Sequence, residues 1–126
     1  MKSRGLCLAL ATLLGVVLSP FHEHVGAQSG ARILISEYRL HGPNGPADEF
    51  VELYNPGTAD ANVGGWRLRS ANNGTTVTAL ATLPAGTVIR PGCFYLLANV
   101  AYSGASDGTY MNQTADNGGV AILNAT

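Results

Sequence analysis

The chain is 126 residues long and shows no internal repeat, so it holds one domain at most. Charged residues make up 12%, hydrophobic ones 46%, and the formal net charge is -1. These values exclude a basic nucleic-acid-type domain, an acidic solvating tail and a low-hydrophobicity disordered chain. Sixteen Gly with few Lys or Glu argue against a helical bundle, and two Cys against a disulfide-dense scaffold.

The N-terminal segment reads as a leader. Lys2 and Arg4 form a basic start, residues 6–18 (LCLALATLLGVVL) are an apolar run, and Pro20 breaks it. Val25-Gly26-Ala27 fits a small-x-Ala cleavage site, which places the cut after Ala27. Thirteen helical residues rise about 20 Å, short of the ~30 Å hydrocarbon core, so a signal peptide is expected rather than a membrane anchor. No lipobox-like pattern surrounds Cys7. His22, Glu23 and His24 resemble a metal-binding trio but fall in the part to be removed. The expected organisation is a signal peptide at 1–27, a short linker at 28–31 and one β-domain at 32–126, with no membrane span after cleavage. Beyond the leader, Arg32, Arg39, Arg67, Arg69 and Arg90 are the basic side chains, and Cys93 is the one remaining cysteine. Beside Phe94-Tyr95-Leu96-Leu97, Cys93 is expected to be a small buried hydrophobe. The alternatives are a reactive nucleophile and an intermolecular disulfide.

Short strands separated by turns follow in chain order. Residues 33–40 are β-branched and aromatic and predict a first strand. His41-Gly42-Pro43-Asn44-Gly45-Pro46 is a loop. Residues 49–54 predict a strand with Val51 and Leu53 on one face and Phe50, Glu52 and Tyr54 on the other. Asn55-Pro56-Gly57 turns the chain. After Gly64-Gly65, residues 66–69 alternate, with Trp66 and Leu68 inward and Arg67 and Arg69 outward. Extended segments are expected at 75–83 and 87–89, and the most apolar, central strand at 93–99. A long polar loop at 100–118 and a last strand at 119–123 complete the pattern. Strands at this spacing suggest an all-β sandwich or barrel, and the expected core is Val51, Leu53, Trp66, Leu68, Leu96 and Ile122.

Five pieces occur in order: Ile35-Ser36-Glu37-Tyr38; Asp48-Glu49-Phe50-Val51-Glu52-Leu53-Tyr54-Asn55-Pro56; Gly65-Trp66-Arg67-Leu68; Pro84-Ala85-Gly86-Thr87-Val88-Ile89-Arg90-Pro91-Gly92; and Tyr95-Leu96-Leu97. Together they resemble the secreted bacterial members of the lamin-tail domain family, over nearly the whole chain beyond the leader. The resemblance implies an immunoglobulin-like β-sandwich and a non-catalytic module, often appended to secreted nucleases, phosphatases or surface proteins. Such domains carry a further strand or two after the position of Leu123. The resemblance therefore implies that the last strand is missing and that the chain is a fragment, with an exposed edge.

Chemistry-bearing residues are sparse. Glu37, Asp48, Glu49 and Glu52 could form an acid/base pair or a divalent-metal site. Glu49 and Glu52 lie three apart on a strand and face opposite sides, while Glu37 and Glu52 can meet across strands. The favoured reading gives these acids to turn and strand-end hydrogen bonds or to Arg39, Arg67 and Arg69. Asp107, Asp116 and Asn117 lie in an oxygen-rich loop without the Asp-x-Asp-x-Asp-Gly ladder of a calcium loop. Arg67, Arg69 and Arg39 could share a face that touches phosphates, but three Arg make a weak electrostatic footprint. His41, in its Gly/Pro loop, gives no support for a catalytic triad. Two sequons, at Asn73 and Asn112, carry little weight in a chain resembling bacterial proteins.

No catalytic, cofactor-binding or metal-binding residue is assigned, and no cofactor is expected. The expected function is a secreted or periplasmic interaction and scaffolding module that binds through the loops 41–48 and 100–118. Its partner is left open among a protein, a cell-surface component and a nucleic acid. The alternative is the N-terminal part of a larger secreted nuclease or phosphatase, with the catalytic domain covalently linked beyond Thr126.

Overall fold

The computed structural model describes residues 32–74 and 76–125. The signal peptide and the linker expected at 1–31 lie outside the described residues. The strands are β1 (Leu34–Arg39), β2 (Phe50–Tyr54), β3 (Ala61–Asn62), β4 (Arg67–Asn72), β5 (Val77–Thr82), β6 (Val88–Ile89), β7 (Phe94–Asn99), β8 (Gly108–Tyr110) and β9 (Gly118–Leu123). One sheet has the order β1-β2-β7-β8 and the other β5-β4-β9, with β3-β6 as a small third pair. All pairings are antiparallel except β7 with β8.

Alternation places the core. On β2, Val51 and Leu53 turn inward, and on β4 Leu68 does the same; Leu53 and Leu68 are both 0% exposed. Arg67 and Arg69 alternate outward at partial exposure. These inward residues join Ala61, Val63, Leu80, Leu83, Ile89, Leu97 and Tyr110 in the principal cluster. The result is a β-sandwich with its apolar faces turned toward each other.

Two expectations about the core change. Leu96 does not fill the space between the sheets. It packs with Phe50, Ala98 and Tyr102 in a second cluster, because β7 is the strand whose neighbours on both faces are apolar and alternate residues go to opposite sides. Trp66 precedes β4 and is half-buried; it packs against the principal cluster at its margin instead of at its centre. The positions that replace them come partly from turns. Val63 donates its amide to the Thr87 carbonyl (2.9 Å) and Leu83 donates to Trp66 (2.8 Å), which draws both apolar side chains inward. The two turns approach so closely that a Cβ on Gly64 would sit 2.7 Å from the Gly86 nitrogen.

The segment 100–118 is not one long loop. It contains β8, which pairs in parallel with β7 from Leu97 to Asn99. The Asp107 carboxylate fixes its start by accepting the Leu96 amide at 2.7 Å. Cys93 is half-buried and packs against the principal cluster.

Candidate functional site

At one end of the sandwich the segments 41–49, 99–107 and 111–117 meet, and two adjacent buried acids hold them. Asp48 ends the first loop. Its carboxylate accepts the Ser103 amide (3.0 Å), the Ser103 hydroxyl (3.0 and 3.1 Å) and the Asn44 amide (3.1 Å), and pairs with the Arg39 guanidinium. Arg39 Nε also donates to the Asp48 carbonyl at 3.0 Å. The guanidinium lies 5.2 Å from the Phe50 ring centre and 5.1 Å from that of Tyr102. Those two rings meet edge-on with centres 5.5 Å apart. Burial by itself would raise the Asp48 pKa. The Ser103 and Asn44 amides, the Ser103 hydroxyl and Arg39 outweigh it and hold the carboxyl below its ordinary value.

Glu49 points the other way along the alternating backbone and clamps a different loop. Its two carboxylate oxygens accept the Thr114 amide at 2.9 and 3.1 Å, and Oε1 accepts Asn99 Nδ2 at 3.4 Å. The Glu49 carbonyl accepts the Asn99 amide at 3.0 Å. Asn99 extends the network by donating to the carbonyls of Met111 (3.3 Å) and Asn112 (3.4 Å) and accepting the Ala101 amide (3.0 Å). Here burial wins, and the Glu49 pKa is raised despite the Thr114 and Asn99 donors. Beside it Tyr110 is buried, and its hydroxyl makes no hydrogen bond of good geometry among the described residues, the Thr114 side chain being the polar group that acts on it. Burial pushes that phenol up to about 12; the Thr114 side chain opposes the shift and the Glu49 charge adds to it.

Further ties complete the end of the sandwich. The Ala115 amide donates to Ser70 Oγ (2.9 Å), Asn117 Nδ2 donates to Asn73 Oδ1 (3.2 Å), and Asn112 Nδ2 donates to the Ala79 carbonyl (3.0 Å). His41 Nε2 lies 3.0 Å from Asp116 Oδ1, linking the first loop to the last. Met111 is 81% exposed and Val100 62%. The Val100 amide donates to the Tyr110 carbonyl (2.9 Å), which sets Val100 beside the segment that carries Met111. A loop cluster fixed underneath by buried carboxylates thus carries two exposed apolar side chains on top.

The other candidates are dispersed. Glu37 and Glu52 do meet as Cα partners across β1 and β2, and Glu52 Oε1 accepts the Ser36 hydroxyl at 3.0 Å. Asp48 and Glu49 are sealed from solvent and committed to backbone amides, so they cannot touch a substrate from bulk water. Asp107, Asp116 and Asn117 have separate partners, the Leu96 amide, His41 and Asn73. No group of three or more His, Cys, Asp or Glu able to hold a metal ion occurs among the described residues. Arg39 does not join Arg67 and Arg69: it belongs to β1 in one sheet, and they belong to β4 in the other.

Sequence reasoning missed the role of Asp48 as a clamp on residue 103 and of Asn99 as the hinge point of the network. The available signal was an Asp-Glu pair directly preceding an apolar strand, together with an Asn ending another. The clamp over Asn55 had a clearer signal in Asn-Pro-Gly. Its Oδ1 accepts the Gly57 amide (2.9 Å), and its Nδ2 donates to the Ala59 (2.9 Å) and Ile89 (2.7 Å) carbonyls.

The model of one protein family, the Lamin Tail Domain, matches residues 26–126. No curated protein matches the chain.

Proposed function

The chain belongs to the Lamin Tail Domain family, an immunoglobulin-like, non-catalytic domain family, and on that premise we propose that it is an exported interaction module that docks a protein partner on its loop cluster. One observation carries the reading. Asp48 and Glu49 are buried ionisable groups, which are rare unless they are hydrogen-bonded for a purpose. Both are used to immobilise surface loops, not to support the sandwich core. Loops held rigid in advance lose little conformational entropy on binding. The exposed pair on that cluster, Val100 and Met111, is apolar and adaptable, the character of a protein-contact surface and not of a phosphate-binding one.

The same reading has the chain exported through a leader at 1–27 that is cleaved after Ala27, so that the module meets its partner at the cell exterior. Mass spectrometry of the exported protein is expected to find Gln28 at its N-terminus. For the surface itself, a photo-crosslinking residue replacing Met111 in exporting cells is expected to trap a discrete higher-mass species. The same residue replacing Val77, exposed on the edge strand β5, is expected not to trap that species. Equal trapping from both positions, or none from Met111, refutes docking on the loop cluster.

A further inference from the structure

We propose that Asn73 is a self-modifying site: the backbone nitrogen of Gly74 attacks the Asn73 side-chain carbonyl carbon, and solvent water opens the resulting cyclic imide to aspartate or isoaspartate. The site is the turn between β4 and β5, and its chemistry does not depend on any partner of the loop cluster.

The sequence holds three Asn-Gly steps, Asn44-Gly45, Asn73-Gly74 and Asn117-Gly118. Glycine permits the reaction at each, because no Cβ hinders its nitrogen from folding back onto the preceding side chain. All three asparagines are exposed. Local sequence therefore ranks them alike, and the fold separates them. Gly45 donates its amide to the Gly42 carbonyl (3.1 Å) and accepts the Gly42 amide in return (3.3 Å), so its nitrogen is locked into a backbone bridge. Gly118 begins β9 in register with Asn72 and lies so close to β4 that a Cβ there would overlap the Ala71 carbonyl oxygen. Turning its nitrogen onto Asn117 would peel the strand from β4. Gly74 lies in the turn, outside the ladder. Its nitrogen donates only to an exposed side chain, Asn72 Oδ1 at 3.1 Å, and that oxygen is shared with the Thr76 amide at 3.3 Å. Water readily replaces such a bond.

A second observation selects the same residue. Asn73 Oδ1 accepts Asn117 Nδ2 at 3.2 Å. A donor on that oxygen draws electrons from the carbonyl carbon and stabilises the negative charge that collects on the oxygen as the nitrogen adds. Asn117 is the donor in this bond, so its own carbonyl gains nothing from it. In the reaction the Gly74 nitrogen gives its proton to solvent base and forms a bond to Asn73 Cγ. The bond from Cγ to the side-chain nitrogen breaks, and that nitrogen leaves as ammonia with a proton from water. Water then adds to one of the two imide carbonyls and its C–N bond breaks. Opening at Cγ gives isomerically normal aspartate; opening at the backbone carbonyl gives isoaspartate. Either product adds a negative charge beside Asn117, the residue that ties the segment 111–117 to this turn.

The purified protein, incubated in water enriched in the heavy oxygen isotope, is followed by tandem mass spectrometry with fragmentation that separates aspartate from isoaspartate. Asn73 is expected to convert first and to carry heavy oxygen in its product. Its rate should exceed those of Asn44 and Asn117 by at least about fivefold, the rate equivalent of one net hydrogen bond. In urea that unfolds the chain the three rates should converge. Asn117→Ala should slow Asn73 in the folded protein and leave its rate in urea unchanged, whereas a merely loosened turn would speed it. Equal rates at the three steps in native buffer overturn the proposal. So does faster conversion at Asn44 or Asn117, or a folded-state Asn73 rate that Asn117→Ala leaves unchanged or raises.

Discussion

Replacing Glu49 by alanine isolates the clamp from the core. Glu49 is fully buried, and its carboxylate is the acceptor for the Thr114 amide. The substitution leaves that amide buried without a partner, which costs roughly 1–3 kcal/mol. Asn99 Nδ2 keeps its bonds to the Met111 and Asn112 carbonyls and is not orphaned. Losing one buried methylene adds about 1 kcal/mol, and relief of a desolvated carboxylate returns a similar amount. The net loss is therefore about 2 kcal/mol, a large part of the stability of a small domain. At about 4–8 °C per kcal/mol for a domain of this size, Tm should fall by about 10–15 °C. The loss should also be local. Hydrogen exchange at the Thr114 and Ala115 amides should accelerate well before that of the β2 and β4 amides. Calorimetry and residue-resolved exchange read the two effects. A Tm within about 3 °C of the wild type, or unchanged protection at Thr114, would refute the clamp.

Three other perturbations bear on the same end of the molecule and on the core. Tyr110→Phe removes a buried hydroxyl that makes no hydrogen bond of good geometry, the Thr114 side chain being its one polar neighbour in effect, so it should leave stability unchanged or raise it by up to about 1 kcal/mol, measured by urea unfolding; a loss above that size would show that the bond to Thr114 is well formed. The two adjacent acids should bend the stability-versus-pH curve in opposite directions. Asp48, with its folded pKa below the ordinary 3.8, stabilises above that value and loses the contribution as pH falls through the folded pKa, so Asp48→Asn should flatten the acid limb. Glu49, with its folded pKa above the ordinary 4.5, contributes most below that value and loses the contribution as pH rises through the folded pKa, so Glu49→Gln should flatten the slope just above it; unchanged slopes in either variant would contradict the assignment. Trp66→Ala should cost about 2 kcal/mol, below the roughly 3–5 kcal/mol of a fully buried aromatic, because Trp66 sits at the margin of the core; complete loss of folding would show that it is central after all.

The family was legible from ordered local motifs, and the strand faces were legible wherever alternation was clean. Val51 and Leu53 inward with Glu52 outward, and Leu68 inward between Arg67 and Arg69, follow from the two-residue period of an extended chain. Asn55-Pro56-Gly57 marks its turn because its side-chain and backbone chemistry is local. The face taken by Leu96 was not legible: in Phe94–Asn99 adjacent residues are apolar, so no periodic signal separates inside from outside, and only the packing of Phe50 and Tyr102 against one side decides it. β8 is equally hidden, since Gly108-Thr109-Tyr110 becomes a strand through its parallel partner β7 and the Asp107 bond to Leu96. The separation of Arg39 from Arg67 and Arg69 is a matter of which sheet each strand joins, a choice made by contacts far apart in the chain. The burial of Asp48 and Glu49 belongs to the same class. A sequence shows two adjacent acids, but their donors are at 39, 44, 99, 103 and 114, and only the folding of those distant segments over the end of the sandwich removes water from the pair and turns surface charges into clamps.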